Sequence, residues 1–188
     1  MRVQLFVPPG GYVAERWSKG SSMPPLGILS IAAVLEREGV EVEVVPADIL
    51  GLGWAGIEHE IRRAEADVIG VTCSTENRFH SFELIRRARR VRPQALTVMG
   101  GPHASLAAED SLAHLPELDV AVRGEGEMTT LDLCRGLKGG RDLSALAGIP
   151  GLSFNQRGRV VTNPPRTPIP DLDRLPFPAF HRIPFDKY

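Results

Sequence analysis

The chain has 188 residues, 43% of them hydrophobic, and a formal net charge of −1, enough apolar material for one sizeable core. That balance argues against a polyanion partner, and no run of about 18 apolar residues marks a membrane span. Two distant cysteines, Cys73 and Cys134, form neither a disulfide framework nor a metal spacing.

Arg2 to Val7 reads as a first strand, stopped by Pro8-Pro9-Gly10-Gly11. The connection from Pro8 to Pro24, with Tyr12 and Trp17, exceeds the roughly 2–6 residues usual between strand and helix, which points to function. Pro25 suits a first helical position, and Leu26 to Leu35 continues as an apolar helix stopped at Gly39. Val40 to Val45 alternates and predicts a half-exposed second strand; Ile57 to Ala66 follows as a helix. Asp67 to Thr72 is a nearly unbroken apolar third strand, of the kind buried on both faces. Phe79 to Val91 is a helix whose Arg86, Arg87, Arg89, Arg90 and Arg92 read as a solvated face. Ala95 to Met99, Leu106 to His114, Leu118 to Val122 and Glu127 to Leu137 complete five strand–helix pairs.

This grammar predicts a doubly wound α/β domain, residues 1–147, with a five-stranded parallel sheet in the order 2-1-3-4-5. Residues 148–188 form a second region. Gly151 to Asn155 and Arg159 to Thr162 predict a β-hairpin, and seven of the 16 prolines fall from Pro164 onward, making an extended strap. The apolar stretch from Met1 to Pro8 is too short for a signal peptide, so a cytoplasmic setting is expected.

Ligands of such sheets bind outside the strand carboxyl ends. Four loops converge there: Pro8 to Pro25, Cys73 to Arg78, Gly100 to Ser105 and Arg123 to Glu127. A phosphoacceptor site fails, because prolines and Thr72-Cys73 stand where carboxylates would be needed. Gly-x-Gly-x-x-Gly after the first strand and Gly-x-Ser-x-Gly are both missing, and so is a short Thr/Ser-rich phosphate loop. Gly100-Gly101 before Pro102 leaves side-chain-free backbone at a strand tip, a seat for a large, mostly uncharged ligand.

Four segments occur in order: Pro24-Pro25-Leu26-Gly27-Ile28-Leu29, Val98-Met99-Gly100-Gly101-Pro102-His103, Arg123-Gly124-Glu125-Gly126-Glu127 and Leu175-Pro176-Phe177-Pro178-Ala179-Phe180. Together they resemble the N-terminal cobalamin-binding region of cobalamin-dependent radical SAM enzymes, across essentially the whole chain. The resemblance implies cobalamin lying over the strand ends with its nucleotide tail running down between sheet and helices. Gly100 and Gly101, with Pro102 and His103 beside them, would let the tail approach backbone. Ser74 or Thr75 would hydrogen-bond it, and Asn77 or Arg78 would face the lower side of the corrin. Arg123, Gly124, Glu125, Gly126 and Glu127 would close the far side; Pro9, Gly10 and Gly11 would approach the corrin.

Two departures shape the expectation. The Asp-x-His-x-x-Gly motif of many cobalamin domains is missing and residues 8–25 hold no histidine, so no axial histidine is expected from that loop. The Cys-x-x-x-Cys-x-x-Cys cluster signature is missing too, which places the [4Fe–4S] cluster and S-adenosylmethionine in a downstream radical SAM domain of the same polypeptide. The chain is then an excised cobalamin-binding module, catalytically silent alone, of an enzyme that transfers methyl groups through methylcobalamin. The alternatives are a stand-alone corrinoid carrier or sensor, and an α/β domain binding another ligand such as a flavin.

Overall fold

In the computed structural model, described for residues 1–10, 23–137, 142–156 and 158–188, the strand–helix alternation folds as a doubly wound sheet. The strands are β1 (Arg2–Val7), β2 (Glu41–Pro46), β3 (Val68–Thr72), β4 (Leu96–Gly100), β5 (Val120–Val122), β6 (Leu152–Gln156) and β7 (Arg159–Thr162). The α-helices are α1 (Leu26–Arg37), α2 (Trp54–Ala64), α3 (Arg78–Val91), α4 (Pro102–His114) and α5 (Glu127–Gly136).

The sheet order is β2-β1-β3-β4-β5-β6-β7. Its first five strands are parallel and follow the expected 2-1-3-4-5 order. The expectation of a five-stranded sheet with a separate hairpin is corrected. The hairpin pairs antiparallel with β5, Val120 opposite Phe154 and Val122 opposite Leu152, and the sheet has seven strands. The reason is physical: β5 is only three residues long, and β6 covers its open edge while burying Leu152 and Phe154 in the same core as Val120 and Val122.

Alternation along the strands divides the apolar residues between two cores. Leu5, Val68, Val98, Val120 and Val122 face α1 and α5, whereas Phe6, Ile69, Val71, Met99 and Ala121 face α2, α3 and α4. Each helix start sits at the carboxyl edge of the sheet. α4 begins at Pro102, not Leu106, because proline is tolerated in the first turn; a non-helical Ala107 (φ −132°, ψ 33°) interrupts the periodicity that would have marked the true start. Among the described residues no helix is long and apolar enough to cross a membrane.

The strap runs back over α1. The Ala179 amide donates to the Leu29 carbonyl at 3.0 Å, Ala179 and Ile183 are buried, and Glu36 pairs with His181 and Arg182. Three short 3-10 turns, Leu172–Arg174, Phe180–Arg182 and Phe185–Lys187, are the only helical structure that its prolines permit among the described residues.

Candidate functional site

The face of the sheet turned to α1 and α5 carries two glycines where its neighbours carry branched side chains. In one rung Leu5, Gly70, Val98 and Val120 lie side by side; in the next toward the carboxyl edge stand Thr72, Gly100 and, two residues beyond Val120, Val122. Gly70 and Gly100 therefore stand diagonally on adjacent strands; Leu5 leans into the space over Gly70, its Cδ2 2.7 Å from where a Cβ would be, and the space over Gly100 is left open. Opposite it, Gly27 on α1 leaves open space, whereas Gly126 before α5 receives the Ile31 side chain, whose Cδ1 stands 2.8 Å from where a Cβ would be.

The result is a cavity of about 110 Å³ between the sheet and the α1–α5 pair, a space of the same order as the ~150 Å³ apolar cavity that holds a benzene ring. Its walls include Leu5, Ile31, Val98 and Val122, and Gly100, Gly101 and Gly124 line it at the carboxyl edge of the sheet. Among the described residues, polar side chains enter the wall only as Thr72 and Thr130. Such a slot accepts a flat, largely apolar group attached to a bulkier body outside.

The adjacent glycines at the mouth exist for different reasons. A Cβ on Gly100 would meet no heavy atom within 4 Å, so its missing side chain is space kept open. Gly101 has φ +93°, and a Cβ there would stand 2.8 Å from the Cys73 carbonyl, so its glycine is required by the turn. The same carbonyl accepts from the His103 amide at 3.0 Å, which closes the turn into α4.

The β3–α3 loop is held by its own side chains. The Ser74 amide donates to Asn77 Oδ1 at 2.8 Å and the Asn77 amide to Ser74 Oγ at 3.3 Å, a reciprocal pair at the helix start. Arg78 donates to the Thr75 carbonyl at 2.7 Å and lies 4.2 Å over the Phe79 ring. Thr75 Oγ1 meets His103 Nδ1 at 3.2 Å, and the His103 ring packs at 5.9 Å against Phe82. These groups gather at the carboxyl edge beside the cavity and are not among its lining residues. The lining hydroxyl of β3 is Thr72, which lies one residue before the Cys73–Arg78 loop and carries no loop signal. Cys73 points to the opposite core, where burial pushes its thiol up.

The Arg123–Glu127 stretch divides by side-chain type. Gly124 and Gly126 line the cavity. Arg123 turns away and donates to the Leu152 and Asn163 carbonyls; the Glu125 carboxylate accepts from the Ile169 amide at 2.6 Å. Both charges fasten the hairpin and strap to the loop that forms the mouth. Glu127 stands half-buried in the first turn of α5. The Gly124 amide donates to Ser105 Oγ at 2.9 Å and so joins this loop to α4. Pro9 is half-buried and Gly10 exposed after β1, Pro102 is exposed at the start of α4, and Gly11 lies outside the described residues with Tyr12 and Trp17. Gly70 and Gly27 were missed from sequence, although a lone glycine within a strand is itself a signal of close approach.

Comparison with known proteins gives a consistent picture. The model of the B12 binding domain family matches residues 18–133. The chain is 32% identical over 188 residues to Uncharacterized methyltransferase PH0819 of Pyrococcus horikoshii, covering all of this chain and 40% of that protein. It is 30% identical over 182 residues to the anaerobic magnesium-protoporphyrin IX monomethyl ester cyclase of Rubrivivax gelatinosus, 93% of this chain and 32% of the cyclase. The radical S-adenosylmethionine methyltransferase TsrM of Kitasatospora setae, solved with cobalamin and a [4Fe-4S] cluster bound, superposes with a TM-score of 0.71 at 26% identity, over 87% of this chain and 30% of that one. The cobalamin-dependent S-adenosylmethionine radical enzyme OxsB shares the fold, with a TM-score of 0.76 at 20% identity over 95% of this chain and 24% of its own. The chain thus spans well under half the length of the relatives it matches.

Proposed function

Because the chain belongs to the B12 binding domain family and resembles the cobalamin-binding module of cobalamin-dependent radical SAM methyltransferases, we propose that the slot beneath Gly100 is the seat of its cobalamin. The observation that carries the assignment is the open backbone at Gly100 on the sheet and Gly27 on α1, which line one apolar cavity at the strand carboxyl edge. Among the described residues the slot's lining is apolar apart from two hydroxyls, and it is open at Gly100 and Gly27, which suits a flat base with a few polar atoms. A broad macrocycle would lie outside it, so the residues present suit a corrinoid whose nucleotide tail enters there. Thr72 and Thr130 would meet the tail, Gly100 and Gly124 would let it pass close to backbone, and Gly101 and Gly126 would hold the turn and the Ile31 contact beside it. Ser74, Thr75, Asn77, Arg78, Pro102 and His103 would lie near the corrin, with Pro9, Gly10 and Gly11 approaching from β1. Arg123, Glu125 and Glu127 would act by shaping the mouth.

Cobalamin supplies a cobalt centre able to accept and donate a methyl group; the protein's share is to bind, orient and shield it. With no histidine in residues 8–25, the cobalt would carry no imidazole from the first loop. We assign residues 1–147 to the cobalamin-binding unit and 148–188 to an extension leading toward a radical SAM domain of the same polypeptide. That domain would hold the cluster and S-adenosylmethionine in a cytoplasmic methyl-transfer enzyme. Mixing the purified chain with hydroxocobalamin, desalting and reading the visible spectrum tests the seat: a coloured protein fraction is expected, and a colourless one refutes it. A Cys-x-x-x-Cys-x-x-Cys segment downstream in the gene separates the enzyme module from a stand-alone carrier.

A further inference from the structure

The helical wall of the cavity carries one hydroxyl that the protein does not use. α5 places two threonines side by side, both almost wholly buried, Thr129 fully and Thr130 at 4% exposure. Thr129 Oγ1 donates to the Glu125 carbonyl one turn back at 3.2 Å and receives Arg166 Nε at 2.8 Å. Ser81 and Ser105 also bond back to the carbonyl four residues earlier, at 3.3 and 3.2 Å. Thr130 does not: its amide bonds Gly126, but its hydroxyl has no hydrogen-bond partner among the described residues. Thr130 is also one of the residues that line the cavity, and its hydroxyl is not fully sealed from solvent. A buried hydroxyl left unpaired costs about 1–3 kcal/mol, and an apolar residue of the same shape would avoid that cost.

We propose that the Thr130 hydroxyl hydrogen-bonds the buried nucleotide end of cobalamin, at a base nitrogen or a ribose hydroxyl, and so makes the cavity selective for corrinoids that carry a nucleotide. This rests on the assignment of the slot to cobalamin. A hydroxyl both donates and accepts, so either nucleotide group satisfies it, whereas cobinamide, which lacks the nucleotide, offers it nothing.

The test titrates wild type, Thr130→Val, Thr130→Ala and Thr130→Ser with hydroxocobalamin, with the analogue bearing adenine as lower base, and with cobinamide, following absorbance. Thr130→Val and Thr130→Ala should bind hydroxocobalamin about 5–10-fold more weakly, the worth of one hydrogen bond. Thr130→Ser should stay near wild type, and cobinamide affinity should be the same for all four proteins. Equal losses for the two nucleotide-bearing corrinoids place the partner on the ribose they share; unequal losses place it on the base. Wild-type affinity for hydroxocobalamin in Thr130→Val overturns the proposal and leaves the slot assignment standing. An equal loss for cobinamide overturns it too, because the effect would then be on the fold or the corrin face. Absence of binding by wild type removes the slot assignment itself.

Discussion

Replacing Gly100 by leucine separates the cavity from the fold. The backbone at Gly100 is outside the left-handed region, and its Cβ would meet nothing within 4 Å. The side chain would follow Leu96 and Val98 onto the α1–α5 side of the sheet and fill a cavity of only about 110 Å³. Burying a leucine is worth about 1.5–3 kcal/mol, so thermal stability should hold or rise. The inserted group of the ligand, in contrast, loses its place. If about 100 Å² of its apolar surface stays wet, the loss is ~2.5 kcal/mol at ~25 cal/mol per Å², or roughly 70-fold in Kd. Gly101→Ala should behave in the opposite way: φ +93° and a Cβ 2.8 Å from the Cys73 carbonyl strain the turn. Strain of about 1–3 kcal/mol lowers Tm by roughly 3–10 °C in a chain of this length. Hydroxocobalamin titration and differential scanning calorimetry on both variants read the two effects. Wild-type affinity in Gly100→Leu would refute the reasoning, since the ligand would then bind outside this slot.

Other consequences follow from charge and burial. Burial raises the Cys134 thiol from 9.0 to about 11, so the folded state keeps it neutral while the unfolded chain ionises first. The stability linked to it is full below about pH 9 and is lost as pH rises to about 11, roughly 3 kcal/mol over the two units. Urea midpoints at pH 8 and 11 should fall further for wild type than for Cys134→Ala, and parallel falls would contradict this. Arg89 donates to Asp119, to Thr97 Oγ1 and to the Ala95 and Glu117 carbonyls between β4 and β5. Arg89→Ala removes these four bonds while Asp119 keeps the Thr97 amide and hydroxyl, and should cost about 1–3 kcal/mol in urea unfolding. Arg166 ties the strap to Thr129 and Asp132 on α5 at 2.8 and 2.5 Å. Arg166→Ala should cost about 1–2 kcal/mol and open residues 164–188 to limited proteolysis, and an unchanged digestion pattern would show that the strap is held elsewhere.

Much of the architecture could be read from local pattern. Val40 to Val45 alternates because one face of β2 is wet, and the runs at β3 and β4 are continuous because both faces are covered. Prolines and glycines mark nearly every joint, and the parallel order β2-β1-β3-β4-β5 was legible because β3 and β4 are the most apolar strands and β2 the most alternating. The start of α4 was misplaced because the periodicity breaks at Ala107, and the hairpin was detached because pairing between β5 and β6 leaves no local mark. At the site, Gly100 was legible as open space, whereas Gly101 read as the same feature and is a turn requirement. Arg123 and Glu125 looked like pocket walls because their partners, at Asn163 and Ile169, are 40 and 44 residues away.

Order along the chain, the carboxyl-edge loops and the glycine-rich mouth were determined by composition and spacing, since each depends on neighbours within a few residues. Which face of the sheet is hollow, and that Thr72 and Thr130 are the hydroxyls on its wall among the described residues, was decided only in three dimensions. A cavity is the volume that several distant segments together fail to fill, and no single segment carries that information.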